Sequence, residues 1–162
     1  MYLSEQHLIK KNHQFFKELD EISFRSKNLY NQALFKVRQY YFDNKNYLTY
    51  ENISKTLAQE SQIDFRNLPA KVSQQTLKLV DQNFKSFFGS LKSKKVKKAR
   101  IPKYLDKIKG RQVVTYTVQA ISKPLLKQGL IKLSGTNIVF RTKVNPESIR
   151  TANISGMGRP SF

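Results

Sequence analysis

Between Val72 and Leu91 the apolar residues return every three or four positions. Val72, Thr76, Leu79, Val80, Phe84, Phe87, Phe88 and Leu91 share one stripe of a 3.6-residue helix, a spacing that alternation along a strand cannot match. Pro69 stands where a helical first turn tolerates proline. The three phenylalanines sit among aliphatic residues at helical spacing, so they read as core packing rather than base stacking. A second stripe lies upstream: Phe15, Phe16, Leu19, Ile22, Leu29, Tyr30, Ala33, Leu34, Val37, Tyr40 and Tyr41. It predicts an amphipathic helix from about His13 to Tyr41 or Phe42, with an irregularity near Ser23 to Ser26, ended by Asp43–Asn44–Lys45–Asn46. A shorter helix is expected from about Tyr50 to Gln59, with Thr49 as N-cap. Residues 61–68 read as a connection. For Tyr40, Tyr41 and Tyr47, near a helix end, packing and stacking both stay open.

At Lys92 the pattern changes. The next stretch holds Lys94, Lys95, Lys97, Lys98, Arg100, Lys103, Lys107, Lys109 and Arg111, with Asp106 the only acid. Beyond it Val114, Tyr116 and Val118 alternate as in a half-buried strand. Ser122, Pro124 and Gly129 mark the start and end of a short helix. Leu130–Leu133 and Ile138–Phe140 flank Ser–Gly–Thr–Asn, the signature of a hairpin with a four-residue loop. Residues 5–11 carry a weak strand pattern. The residues after Asn145 lack periodicity and are expected to be irregular. Together these elements predict an α+β chain, a helical bundle joined to a small basic β-unit.

The charge is lopsided. Thirty lysines and arginines face eleven aspartates and glutamates, a formal +19. Self-repulsion of that size favours a polyanionic partner, and phosphate backbones meet it through counterion release. A membrane is not expected, since no apolar run nears the roughly 20 residues of a spanning helix. Residues 1–11 are polar and lack the apolar region of a secretory signal, so a cytoplasmic address is expected. The chain has no cysteine, which excludes disulfides, a thiol nucleophile and cysteine-ligated zinc. At 162 residues it can bury about two-thirds of its unfolded surface without such staples.

A run of charge is most often a solvated face. This one also contains Ile101, Pro102, Tyr104, Leu105 and Ile108, which would hold it on a surface. An anchored row of cations with an aromatic among them suits a groove that tracks a nucleic-acid backbone. Catalysis finds no such support. Glu18, Asp20 and Glu21 stand beside Lys17 and Arg25, as on a salt-bridged helix face, and the other acids are scattered, whereas two-metal phosphoryl transfer needs converging carboxylates. His7 reads as a strand residue and His13 as a packing or capping residue near the first helix. No phosphate-cradling glycine loop or serine elbow occurs. No enzyme, metal or cofactor is expected.

Three segments, SKNLYNQALFKVRQYYF (26–42), LPAKVSQQTLKLVDQNFKSFFGSLK (68–92) and RIPKYLDKIKGRQ with AISKPLLKQGLIKLSG (within 100–135), together resemble the N-terminal part of the TnpB family. These OrfB-type, transposase-associated proteins are RNA-guided DNA endonucleases related to type V CRISPR effectors. The resemblance spans about residues 5–145. It implies a wedge-like antiparallel β-barrel from residues 1–12 and 110–145, with the N-terminal strand paired to strands after Gly110. A helical recognition bundle, 13–98, would be inserted into it, with a basic connector at 92–111, whereas residues 146–162, where the family continues into further strands, are expected from their own lack of periodicity to be an irregular tail. It also implies guide-type RNA and target DNA as partners. The matching positions are Lys27, Asn28, Asn31, Lys71, Gln75 and Lys85, with Lys92, Lys94, Lys95, Lys97, Lys98, Arg100, Lys103, Tyr104, Lys107, Lys109 and Arg111 in the connector. The family's RuvC-like catalytic acids and four-cysteine zinc ribbon have no counterpart here. The expectation is a truncated copy that binds nucleic acid without cleaving it. One half of a split endonuclease and a basic ribonucleoprotein component are the alternatives.

Overall fold

A computed structural model of the chain describes residues 4–155 other than Lys94 and Val96. The first helix, α1, spans Phe16–Asn44 and is continuous through Ser23 and Ser26, where an irregularity was expected. Both serines are buried, and their small side chains let Gln112 come close enough for its N–H to donate to the Ser23 carbonyl at 3.2 Å. Lys45, left-handed at φ 54°, closes α1 by donating its N–H to the Tyr41 carbonyl. The second helix, α2, spans Tyr50–Gln59, and the Thr49 hydroxyl accepts from the Asn52 N–H, the cap read from the sequence. Residues 61–68, read as a connection, contain a short helix α3 at Ile63–Asn67, whose first turn is held by the Gln62 side chain accepting from the Phe65 N–H at 2.6 Å. The helix α4, Ala70–Lys92, follows Pro69.

α1 and α4 pack along their apolar stripes, and α2 closes the bundle with Ile53 and Leu57. Leu29, Ala33, Leu34, Leu77, Val80 and Phe84 are fully buried in this core. Each large side chain so buried stabilises the fold by about 1.5–3 kcal/mol. Phe84, Phe87 and Phe88 pack as core, and Tyr41 and Tyr47 join them with ring centroids at 5.5 Å from Phe88. Tyr40 stays partly exposed.

β1, Val114–Thr117, lies beside α4 and buries Val114 and Tyr116. The strand pattern stops there, since Val118 opens a single 3-10 turn, Val118–Ala120. α5, Lys123–Lys127, carries Pro124 in its first turn, and Gly129 at φ 76° takes the left-handed position just past its end. β2, Leu130–Lys132, pairs antiparallel with β3, Val139–Arg141, in the expected hairpin, with Ile131 opposite Phe140. At the hairpin tip Gly135 sits at φ 73°, and a Cβ there would lie 3.0 Å from the Pro69 ring, so the turn both bends and touches the start of α4.

Three expectations are corrected. The described strands form two separate two-stranded antiparallel sheets, not a closed barrel. Residues 4–10 form no strand, since their apolar residues do not alternate and Leu8 is exposed. They are tied instead by side chains: the Glu5 carboxylate accepts from the Lys143 N–H at 3.0 Å and from the Thr142 hydroxyl at 3.2 Å, and the His7 ring lies 5.5 Å from Phe140. The tail is not irregular throughout. Residues 151–154 form β4, Thr151–Ile154, which pairs antiparallel with β1 from Val114↔Ile154 to Thr117↔Thr151. Residues 156–162 lie outside the described residues.

Candidate nucleic-acid interface

From Pro102 to Lys107 the basic segment after α4 runs back along α1, held mainly through its own backbone. Asp20, Lys27, Asn31 and Arg38 lie seven, four and seven residues apart, so they form one polar row on the helix. Arg38 donates to the Pro102 carbonyl at 3.2 Å. The Asn31 side chain grips Leu105 twice, donating to its carbonyl and accepting from its N–H, both at 2.9 Å. Lys27 donates to the Lys107 carbonyl. Arg38 and Asn31 are separated by about 10 Å along the helix axis, which is the reach of the three residues from Pro102 to Leu105 when extended. Ile101 and Leu105 add apolar packing against the core.

Asp106, the only acid of the segment, closes the turn that follows. Its carboxylate accepts from the N–H groups of Lys109 and Ile108 at 2.6 and 2.9 Å, and these bonds hold its pKa below the usual carboxylate range. Any Cβ at Gly110 would collide with the Asp106 carbonyl at 2.4 Å, so this turn requires glycine. The segment ends at Arg111, whose guanidinium makes a forked pair with Asp20 at 2.8 and 3.0 Å and lies over the Phe24 ring at 4.9 Å. That pair holds the Asp20 carboxyl below its ordinary value. Lys27 is fully buried, with its ammonium 3.9 Å from the Phe24 ring centroid. Desolvation, and then the nearby Arg111 charge, push its pKa down.

Most of the segment's described cations face solvent. Lys92, Lys95, Lys97, Lys98, Arg100, Lys103, Lys107 and Lys109 are all exposed. None of these eight makes an ion pair among the described residues, where the pairs are His7–Glu5, Arg25–Glu21, Lys36–Glu60, Lys85–Asp81 and Arg111–Asp20. Lys94 lies outside the described residues. Beside the segment an open cleft of about 300 Å³ separates it from α4. Asn83, Ser86, Phe87 and Ser90 of α4 line it together with Arg100, Pro102 and Lys103 of the segment and Tyr30 of α1. The Asn83 amide donates to the Tyr30 hydroxyl at 2.8 Å, and the serine hydroxyls with the two cations suit a phosphate group.

The residues singled out in the sequence thus divide. Lys27, Asn31 and Arg111 meet the segment, but as its anchors, with their donors engaged inside the chain. Tyr104 is partly exposed and stacked by Arg38 at 4.7 Å. Asn28 is half-buried on α1 and Lys71 half-buried on α4. Gln75 borders a groove with Val113 and Thr115, and Lys85 is paired with Asp81 at 2.7 Å on the side of α4 near Tyr47 and Glu51. The sequence reading missed Asp20, Arg38, Asn83, Ser86 and Ser90. For Asp20 and Arg38 the seven-residue recurrence of polar groups along α1 was the available signal.

Among the described residues no group of three or more histidines, aspartates or glutamates is placed to hold a metal ion, and no helix is long and apolar enough to cross a membrane. No protein-family model matches the chain, and no curated protein matches it.

Proposed function

We propose that this chain binds nucleic acid through the segment 92–111, as the RNA- and DNA-holding part of a TnpB-like, transposon-encoded RNA-guided endonuclease, and cleaves neither strand itself. One observation carries the binding: eight exposed cations with no ion pair among the described residues lie along residues 92–109, on a segment whose backbone is pinned to α1 from Pro102 to Lys107. A flexible basic tail would have to be ordered on binding, at an entropic cost of about 1–2 kcal/mol per residue. Here much of that cost is already met in folding. The lone acid, Asp106, is tied into its own turn and neutralises no neighbouring lysine through an ion pair. The TnpB part of the reading rests on the resemblance of residues 26–42, 68–92 and 100–135.

Salt titration tests the binding. With about six to ten phosphate contacts, affinity for RNA falls by roughly 10²–10⁵ between about 50 and about 200 mM salt, with the smaller losses for a single strand. Binding that is absent at low salt, or flat across that range, overturns the proposal. Sequencing RNA that co-purifies with the chain tests the family reading. A discrete transcript from a transposon end supports it, and bulk cellular RNA removes it while leaving general nucleic-acid binding in place.

A further inference from the structure

α1 carries aromatic rings on two flanks. Tyr41 faces α4, with its ring 6.0 Å from Phe87 and 5.5 Å from Phe88. Phe24, Phe35 and Phe42 follow Asp20, Asn31 and Arg38 by four residues each, so they form a stripe next to the row that anchors the basic segment. Phe35 is 49% exposed and Phe42 45%, and Tyr104 on the segment itself is 43% exposed. Arg38 joins two of these rings, its guanidinium 4.7 Å from Tyr104 and 5.9 Å from Phe42. The result is a ring, guanidinium and ring surface bordered by the exposed cations of the segment. A lone exposed phenylalanine needs no explanation. Three half-exposed rings beside one cationic track are a different matter.

Rings in this setting recognise the faces of bases, which a duplex hides in its stack and a single strand offers. We infer that the strand held along this flank is single-stranded, with unpaired bases stacking on Phe35, Phe42 and Tyr104 while its phosphates follow Arg100, Lys103 and Lys107. This rests on the nucleic-acid reading above and specifies the form of its ligand. The ring surface tolerates any base, because every base has a π-face, so sequence preference from it is weak.

The test compares a fluorescein-labelled single-stranded RNA of about 12 nucleotides with the duplex of the same length, at one low salt concentration. The proteins are the wild-type chain, the ring variant Phe35→Leu with Phe42→Leu and Tyr104→Leu, and the charge variant Lys95→Glu with Lys103→Glu and Lys107→Glu. The ring variant is expected to lose about tenfold in single-strand affinity per ring and to leave duplex affinity unchanged. The charge variant loses both. Full single-strand binding by a folded ring variant overturns the inference and leaves the proposed function standing. If the wild-type chain binds neither RNA, both fall. Should the ring variant unfold, wild-type protein decides with an aminopurine-substituted strand: quenching on binding supports stacking, and binding without quenching overturns it.

Discussion

α4 and the segment that follows it are adjacent in sequence and opposite in how they are held. α4 satisfies its backbone within the helix and is fixed by side chains, with Val72, Leu77, Val80 and Phe84 in the core. From Pro102 to Lys107 the segment is fixed largely by backbone carbonyls and an N–H group that meet side chains of α1, and its exposed cations are left over. The difference separates stability from binding. A buried side chain of α4 is part of the fold, whereas an exposed cation of the segment, unlike the anchor Arg111, can change without disturbing what holds it. The residues that decide where the segment lies are Asn31, Arg38, Lys27 and Asp20, and they belong to neither region.

Four substitutions or conditions probe that separation. Phe84→Ala empties a fully buried site and should cost about 3–5 kcal/mol in chemical denaturation. A cost below about 1 kcal/mol would mean that side-chain packing does not hold α4 as described. Reversing Lys95, Lys103 and Lys107 to glutamate should lower RNA affinity about 100-fold or more at low salt. The unfolding midpoint should not fall, because excess positive charge is reduced. A falling midpoint would show that these cations hold the fold as well. Asn31→Ala strips two hydrogen bonds from Leu105 and should cost about 1–3 kcal/mol. Hydrogen exchange should locate much of that cost at the Leu105 amide, and unchanged protection there would refute the clamp.

The smallest effect is electrostatic. The Asp20 carboxyl is held low chiefly by its hydrogen bonds from Arg111. A depressed carboxylate contributes stability that is present above its unfolded value, about pH 4, and lost as pH falls through the folded value. The pair is partly exposed and screened, so the contribution should stay below about 1 kcal/mol. Melting curves taken from neutral pH down to acid should show that small loss in the wild type, and Asp20→Asn should lack its share of it.

The helices were largely legible because each carries its own apolar period. Thr49 as N-cap, Pro124 in the first turn of α5 and the Leu130–Phe140 hairpin were readable for the same reason: cap and turn chemistry acts over a few residues. β4 was not legible. Thr151–Ile154 alternates exposed and half-buried residues over only four positions, too short a run to mark it, and it becomes a strand because β1 offers a partner edge about 35 to 40 residues away in sequence. Residues 4–10 failed in the other direction, with a faint strand pattern and no ladder to join.

The interface divides in the same way. Composition alone located the cations of 92–111, because a run of like charge with one acid is visible in any register. What it did not reveal is which polar groups are spent inside the chain. Lys27 and Asn31 look like surface residues in sequence and become anchors only when the segment folds back across about 75 positions to meet them. Local period and charge are properties of neighbouring residues, so the sequence by itself determined the helices, the hairpin and the excess of positive charge. Burial and hydrogen-bond partnership depend on distant residues meeting, and the tertiary structure alone decided which cations anchor, which face outward, and which rings remain uncovered beside them.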